Sequence, residues 1–322
     1  MFDLAALEDA ARLVRTHLPP TPQYAWPLLA ARAGCEVWVK HENHTPTGAF
    51  KVRGGLTYMD RLLRTRPGVH ARGIVSATRG NHGQSLAFAG RAFGVPVTIL
   101  VPHGNSTEKN AAMRALGARL VEHGQDFDAA REEAMRLAGA EGLEFAPSFA
   151  PELVLGVATY ALELFRGVPE PLDALYVPIG LGSGICACIL ARDLLGLRTE
   201  IIGVQSTEAP AYALSLATGH PVSTDSAATR ADGMATRIPD PDAFALIRRG
   251  ASRIVTVTDA EVAEAVRAYW QDTHNLAEGA GAASLAALLQ ERARMRGRRV
   301  GLVLSGGNID LALFRDWILG GR

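Results

Sequence analysis

The sequence predicts an α/β protein of two lobes, a parallel-sheet large domain with a smaller α/β domain inserted into it. Three observations predict this. Short apolar runs alternate with amphipathic stretches along the whole chain. The runs are apolar throughout rather than at every second residue, as in strands covered on both faces. And 322 residues are more than one ordinary domain of roughly 100–200 residues needs. In order, the strand candidates are Glu36–Lys40, Gly73–Ala77, Val97–Val101, Arg119–Glu122, Ala174–Pro178, Glu200–Gln205 and Val300–Leu304. Between them, Asn81–Phe93, Ser106–Leu116, Asp126–Ala138, Leu153–Leu164 and Asp259–Asn275 carry helical spacing. Three strand–helix units crowd into residues 73–150, and a second set begins near residue 171. The expected domains are therefore 1–72 with 151–322 (large) and 73–150 (small).

Composition excludes several classes of function. Lysine plus arginine and aspartate plus glutamate both number 33, so no charge excess points to nucleic acid or an anionic membrane. The basic run Arg292, Arg294, Arg296, Arg298, Arg299 reads as a solvated helix end before a strand. No stretch reaches the roughly 18 apolar residues of a membrane span. The start, MFDLAALEDAARLV, is acidic and reads as a helix, not a signal peptide. Three cysteines, Cys35, Cys186 and Cys188, make no disulfide framework and suit a reducing compartment. The expectation is a cytoplasmic protein with a small-molecule partner.

Ligands of such sheets bind where strands end and helices begin. Three strand ends carry loops rich in glycine and small polar residues: SATRGNHGQS, PIGLGSGICA and SGGNID. Gly180, Leu181, Gly182, Ser183 and Gly184 follow a strand and open a helix, a setting that favours phosphate. A dinucleotide site needs an acid at the end of the next strand, but Glu200 lies at the wrong end and Gln205 at the right one. Lys51, in HTPTGAFKVRGG, sits early in a predicted helix. The helix dipole there opposes its charge and favours the neutral amine that attacks an aldehyde. The chain holds three lysines (Lys40, Lys51 and Lys109) against 30 arginines, which adds modest weight to amine chemistry at Lys51.

Four motifs in order, Pro46 to Gly55, Thr78 to His82, Gly180 to Gly184 and Ser305 to Asn308, give the chain a specific likeness. It resembles the pyridoxal-phosphate enzymes of the tryptophan synthase β-like fold, in the threonine/serine dehydratase and serine racemase branch. The resemblance implies that Lys51 holds pyridoxal 5'-phosphate covalently and serves as the base at the substrate α-carbon. It implies that Phe50 packs beside the pyridine ring and Asn81 bonds its phenolic oxygen. It places the phosphate on Gly180, Leu181, Gly182, Ser183 and Gly184, and Ser305 opposite the ring nitrogen. It surrounds the substrate carboxylate with Thr78, Gly80, Asn81 and His82. The implied reaction is β-elimination from a β-hydroxy amino acid such as threonine or serine, giving a 2-oxo acid and ammonia. Rival readings are a β-replacement synthase and an inactive ligand-binding relative.

Departures from the family pattern sharpen these expectations. Arg79 stands where the racemases carry a serine; a guanidinium relays protons poorly, so little racemisation is expected. Arg79 could instead pair with a second carboxylate, which suits 3-hydroxyaspartate; phenylserine or a larger hydroxy amino acid is a further alternative. Leu181 and Ser183 replace glycines common in relatives. Gln205, Ala209 and Ala211 stand where some relatives ligate a divalent cation, so no metal is expected. Glu278 reads equally as a helix cap or as a buried acid near the cofactor. Asp232, Gly233 and Arg237 match a loop passing the cofactor, and His44 could line the substrate pocket. The resemblance also implies a homodimer.

Overall fold

The computed structural model describes residues 2–320. Among the described residues ten strands run in chain order: β1 (Gln23–Ala25), β2 (Glu36–His41), β3 (Ile74–Ala77), β4 (Val97–Val101), β5 (Arg119–Glu122), β6 (Glu144–Phe145), β7 (Ala174–Pro178), β8 (Glu200–Ser206), β9 (Arg253–Val257) and β10 (Arg299–Leu304). They form a six-stranded sheet, β1-β2-β10-β7-β8-β9, and a four-stranded sheet, β5-β4-β3-β6. Only β1 is antiparallel to its neighbour. The chain divides into two compact units. Unit 1 takes the chain up to Pro19 and then Phe50–Val157; unit 2 takes Pro20–Ala49 and the chain from Ala158 on.

In unit 2, β10 pairs with β2 from Arg299↔Glu36 to Leu304↔His41, and β7 with β8 up to Pro178↔Val204. The strands run the same way, so the loops after His41, Pro178 and Leu304 leave from one edge of the sheet. Val37, Val39, Tyr176, Ile202, Val204, Val300 and Leu302 are fully buried in its core, with helix Gly279–Gln290 packed against it. That helix is Ala-rich and buried along nearly its whole length, so no polar stripe marks it in the sequence.

In unit 1, Ile74, Ile99 and Val101 pack beneath the helices Lys51–Thr65 and Asn81–Phe93. The helix Lys51–Thr65 carries Gly54 and Gly55 in its first turns, each costing about 1 kcal/mol of helix propensity relative to alanine. Close packing explains them. A Cβ on Gly54 would lie 2.7 Å from the Leu153 carbonyl oxygen, and one on Gly55 would lie 2.7 Å from that of Ser85.

Seven expected strands and five expected helices are present, with ends shifted by a few residues. The strands β1, β6 and β9 were not expected. β6 has two residues, and β9, reading RIVTV at the sheet edge, is only half-buried. The contact division groups residues 2–19, 50–72 and 151–157 with residues 73–150. Helix Leu4–Arg15 packs on Lys51–Thr65, which packs on Asn81–Phe93. Sequence spacing shows where strand–helix units recur, but not which sheet a preceding helix covers. The basic run is not simply solvated either. Arg299 starts β10 and bonds Glu36 (3.0 Å) and Glu170 (3.1 Å), and Arg298 bonds Glu200 at 3.1 Å.

Candidate active site

Unit 1 brings together Phe50, Lys51 and the loop Thr78–His82. Lys51 is the first residue of its helix, which Phe50 caps in a helical conformation. The Lys51 carbonyl accepts a 2.6 Å bond from the Ser85 hydroxyl, tying this helix to Asn81–Phe93. The amine lies 5.4 Å from the Phe50 ring centroid. Burial pulls it down to about 8 from the ordinary lysine value of 10.5. The direction is the expected one, and desolvation supplies it.

β3 ends at Ala77, and the next three residues turn into the helix that starts at Asn81. The Thr78 hydroxyl accepts from the Gly80 N–H at 3.0 Å and so shapes the turn. Thr78, Gly80 and His82 are buried, Asn81 is half-buried, and Arg79 is exposed. His82 is pushed down to about 3, first by burial and then by the Lys51 charge, so it is a neutral imidazole at working pH. The buried Lys109, which sequence reasoning counted but did not place, runs alongside this loop. A Cβ on Gly80 would come within 2.8 Å of its Cδ.

Unit 2 gathers the other motifs. The glycine loop follows β7, and Ser183 starts the helix Ser183–Leu194. Gly182 has φ +108°, a left-handed value that disfavours any side chain. A Cβ there would also meet Ala243 Cβ at 2.8 Å. A Cβ on Gly180 would overlap the Gly233 carbonyl oxygen, and one on Gly233 would meet Ala280 Cβ at 2.9 Å. A Cβ on Gly306 would lie 2.5 Å from Glu278 Oε1. Gly180, Gly233, Glu278 and Gly306 thus pack in one row, with Ala49 bridged to Gly306 at its end. Asn308 donates from its amide to the Thr47 carbonyl at 2.7 Å, and the Gly307 N–H donates to the Gly48 carbonyl at 2.9 Å. The segment 45–49 that leads to Lys51 is therefore clamped to the loop after β10.

Glu278 is buried at a helix start. It stands at the N-cap of Gly279–Gln290, yet its side chain makes no capping bond and is 3% exposed, turned toward Gly306 and Gly233. Ser305 is buried as well. Gln205 Oε1 accepts from the Ala213 N–H at 2.8 Å. Glu200 bonds Arg253 and Arg298, away from the end of β8 where a ribose would sit. His44 is exposed and bonds Asn275 Oδ1 at 2.7 Å. Sequence reasoning quoted Ser85 at the end of SATRGNHGQS without giving it a role and missed Tyr212, which belongs to no loop motif; both act through contacts with residues distant in sequence. The loop 180–184 fits a phosphate. Gly180 and Gly182 leave no room for side chains, so the backbone is the available donor, and the first turn of a helix offers N–H groups with no intrahelical partner.

The chain is similar to known proteins along nearly its whole length. The family described as pyridoxal-phosphate dependent enzyme matches residues 14–306. An L-threonine ammonia-lyase of Thermotoga maritima is 32% identical over 312 residues, 97% of this chain and 77% of that protein. An L-threo-3-hydroxyaspartate ammonia-lyase of a Pseudomonas species is 33% identical over 301 residues, 93% of each chain. The solved structure of the processed form of threonine deaminase isoform 2 from Solanum lycopersicum superposes with a TM-score of 0.90 at 27% identity, covering 100% of this chain and 95% of that one.

Proposed function

This chain belongs to the pyridoxal-phosphate dependent enzyme family, and from that premise we propose that it is an ammonia-lyase. Its substrate is a β-hydroxy amino acid such as threonine or serine, and its products are a 2-oxo acid and ammonia. One observation carries the assignment: an amine brought by burial to about 8, at a helix start tied to the loop Thr78–His82 helix. When bound, pyridoxal phosphate supplies the electron sink that makes the α-proton of an amino acid removable.

The chain's own residues do the rest. Lys51 would hold the group through Nζ and take the α-proton there; an amine titrating near 8 is suited to both tasks. Phe50 would flank the ring, and Asn81 would bond its phenolic oxygen. The backbone of Gly180, Leu181, Gly182, Ser183 and Gly184 would hold the phosphate, and Ser305 would face the ring nitrogen with a neutral hydroxyl. Thr78, Gly80, Asn81 and His82 would bind the substrate carboxylate, with His82 neutral.

A second reading, 3-hydroxyaspartate as substrate, is favoured by Arg79. Its guanidinium is exposed on the carboxylate loop, where it can pair with a second carboxylate. The assignment includes a cytoplasmic homodimer. Three free, buried thiols suit the reducing compartment, and the dimer follows from the resemblance alone.

The test is product analysis on threonine, serine and threo-3-hydroxyaspartate, with and without an added thiol. Oxo acid and ammonia in equal amounts under both conditions support the lyase. Thiol adducts would mean β-replacement, and no oxo acid from any of these substrates would sink the assignment. Arg79→Ser should lower activity on hydroxyaspartate about 10- to 100-fold and leave serine nearly unchanged; equal loss on both removes the second reading.

A further inference from the structure

Tyr212, which no motif marks, is fully buried in unit 2 as the second residue of the helix Ala211–Thr218. Its hydroxyl has one proton, and it donates that proton to the Leu181 carbonyl at 2.8 Å. The same oxygen accepts from the Asp240 N–H at 3.0 Å. Asp240 is itself fixed, because its carboxylate caps the helix Pro241–Gly250 by accepting from the N–H groups of Asp242 and Ala243, both at 3.0 Å. The phenol therefore bridges the glycine loop to the start of a neighbouring helix. A Cβ on Gly182 would lie 3.3 Å from the Tyr212 oxygen and 2.8 Å from Ala243, so the bridge forms one wall of the loop.

Peptide geometry gives this bridge a consequence. In a trans peptide the C=O and the following N–H point in opposite directions, and no cis bond occurs among the described residues. Holding the Leu181 carbonyl toward Tyr212 turns the Gly182 N–H away from it. The first N–H groups of Ser183–Leu194, the next residues of the chain, also need an outside acceptor. Gly182, at φ +108°, has no side chain to resist rotation of this peptide, so the restraint has to come from elsewhere. The backbone carbonyl of Leu181 is what the bridge uses.

We propose that Tyr212 is a positioning residue for the phosphate-binding loop, setting the 181–182 peptide so that the Gly182 N–H donates to a bound phosphate monoester. The proposal rests on the assignment of this loop to the cofactor phosphate. Burial raises the phenol well above its ordinary value, which keeps its proton available to Leu181 at all working pH.

The test is Tyr212→Phe in the full chain. The protein is stripped of cofactor and titrated with pyridoxal phosphate and, separately, with pyridoxal, which lacks the phosphate. The readouts are absorbance and the 31P signal of the bound phosphate. Wild type should prefer pyridoxal phosphate strongly. The variant should lose about tenfold in affinity for it, keep its affinity for pyridoxal, and show a moved 31P signal. Equal loss for both compounds would mean general loosening and would overturn the proposal, as would an unchanged preference. If wild type itself shows no preference, the loop assignment falls and Tyr212 falls with it; a preference that wild type shows and the variant keeps in full removes Tyr212 alone. Should the Phe variant fail to fold, Asp240→Pro is compared with Asp240→Ala. Asp240 has φ −70°, which proline accepts. Both variants lose the cap, but only proline loses the N–H that holds the hydroxyl. A lower preference for pyridoxal phosphate in the proline variant is expected, and the same preference in both would refute the bridge.

Discussion

Gly55→Ala is the most direct perturbation of the packing that holds Lys51. Gly55 lies one turn after Lys51, and an added Cβ would overlap the Ser85 hydroxyl and lie 2.7 Å from the Ser85 carbonyl oxygen. The hydroxyl could rotate away, at the loss of its 2.6 Å bond to the Lys51 carbonyl. The carbonyl belongs to the backbone of Asn81–Phe93, so relieving that contact requires the two helices to separate. Overpacking of this kind costs ~1–3 kcal/mol, and the lost hydrogen bond adds ~1 kcal/mol. The gain in helix propensity offsets ~1 kcal/mol. The net expectation is a loss of about 1–3 kcal/mol in urea unfolding, with weaker binding of pyridoxal phosphate because the first turn of Lys51–Thr65 has moved. Gly55→Ala/Ser85→Ala should not recover stability, since the backbone oxygen remains. A single variant stabilised by about 1 kcal/mol, as at an exposed helix position, would show that the two helices are not in this contact.

Two further outcomes follow from buried titratable groups. Glu163→Ala should cost about 3–5 kcal/mol in urea unfolding, because it removes the carboxylate 2.7 Å from the ammonium of Lys40, which is 1% exposed; a change below 1 kcal/mol would mean that this buried pair is not formed. His41 and His82 are buried and lowered to about 4 and about 3 from the ordinary 6.5. Unfolded, each binds a proton below about 6.5, while the folded protein refuses it until pH 4 or 3. Stability should therefore fall as pH drops through this window, by about 3 kcal/mol for each group at pH 4. Unfolding curves at pH 7 and pH 4 in the double variant His41→Asn/His82→Asn should show a clearly smaller drop than wild type; an equal drop would place the acid sensitivity elsewhere.

Much of the chain was legible before any coordinates. Strands buried on both faces leave continuous apolar runs, and glycine-rich turns after them mark a binding edge, because both are local consequences of covalent geometry and burial. The order of the four motifs pointed to the cofactor family. Lys51 stood out through its place at a helix start, and Gly180–Gly184 through the backbone freedom that a phosphate loop needs. Only the tertiary structure decided what depends on contacts between residues far apart in sequence. It put Lys51–Thr65 with the smaller unit, because Gly54 and Gly55 let Leu153 and Ser85 approach. It buried the Lys51 amine, and that burial lowers it. It turned Glu278 inward toward Gly306, and it placed the Tyr212 hydroxyl on the Leu181 carbonyl. Desolvation and a hydrogen bond across 31 residues leave no periodic trace in a sequence, because both are set by what the fold packs around a group and not by its neighbours along the chain.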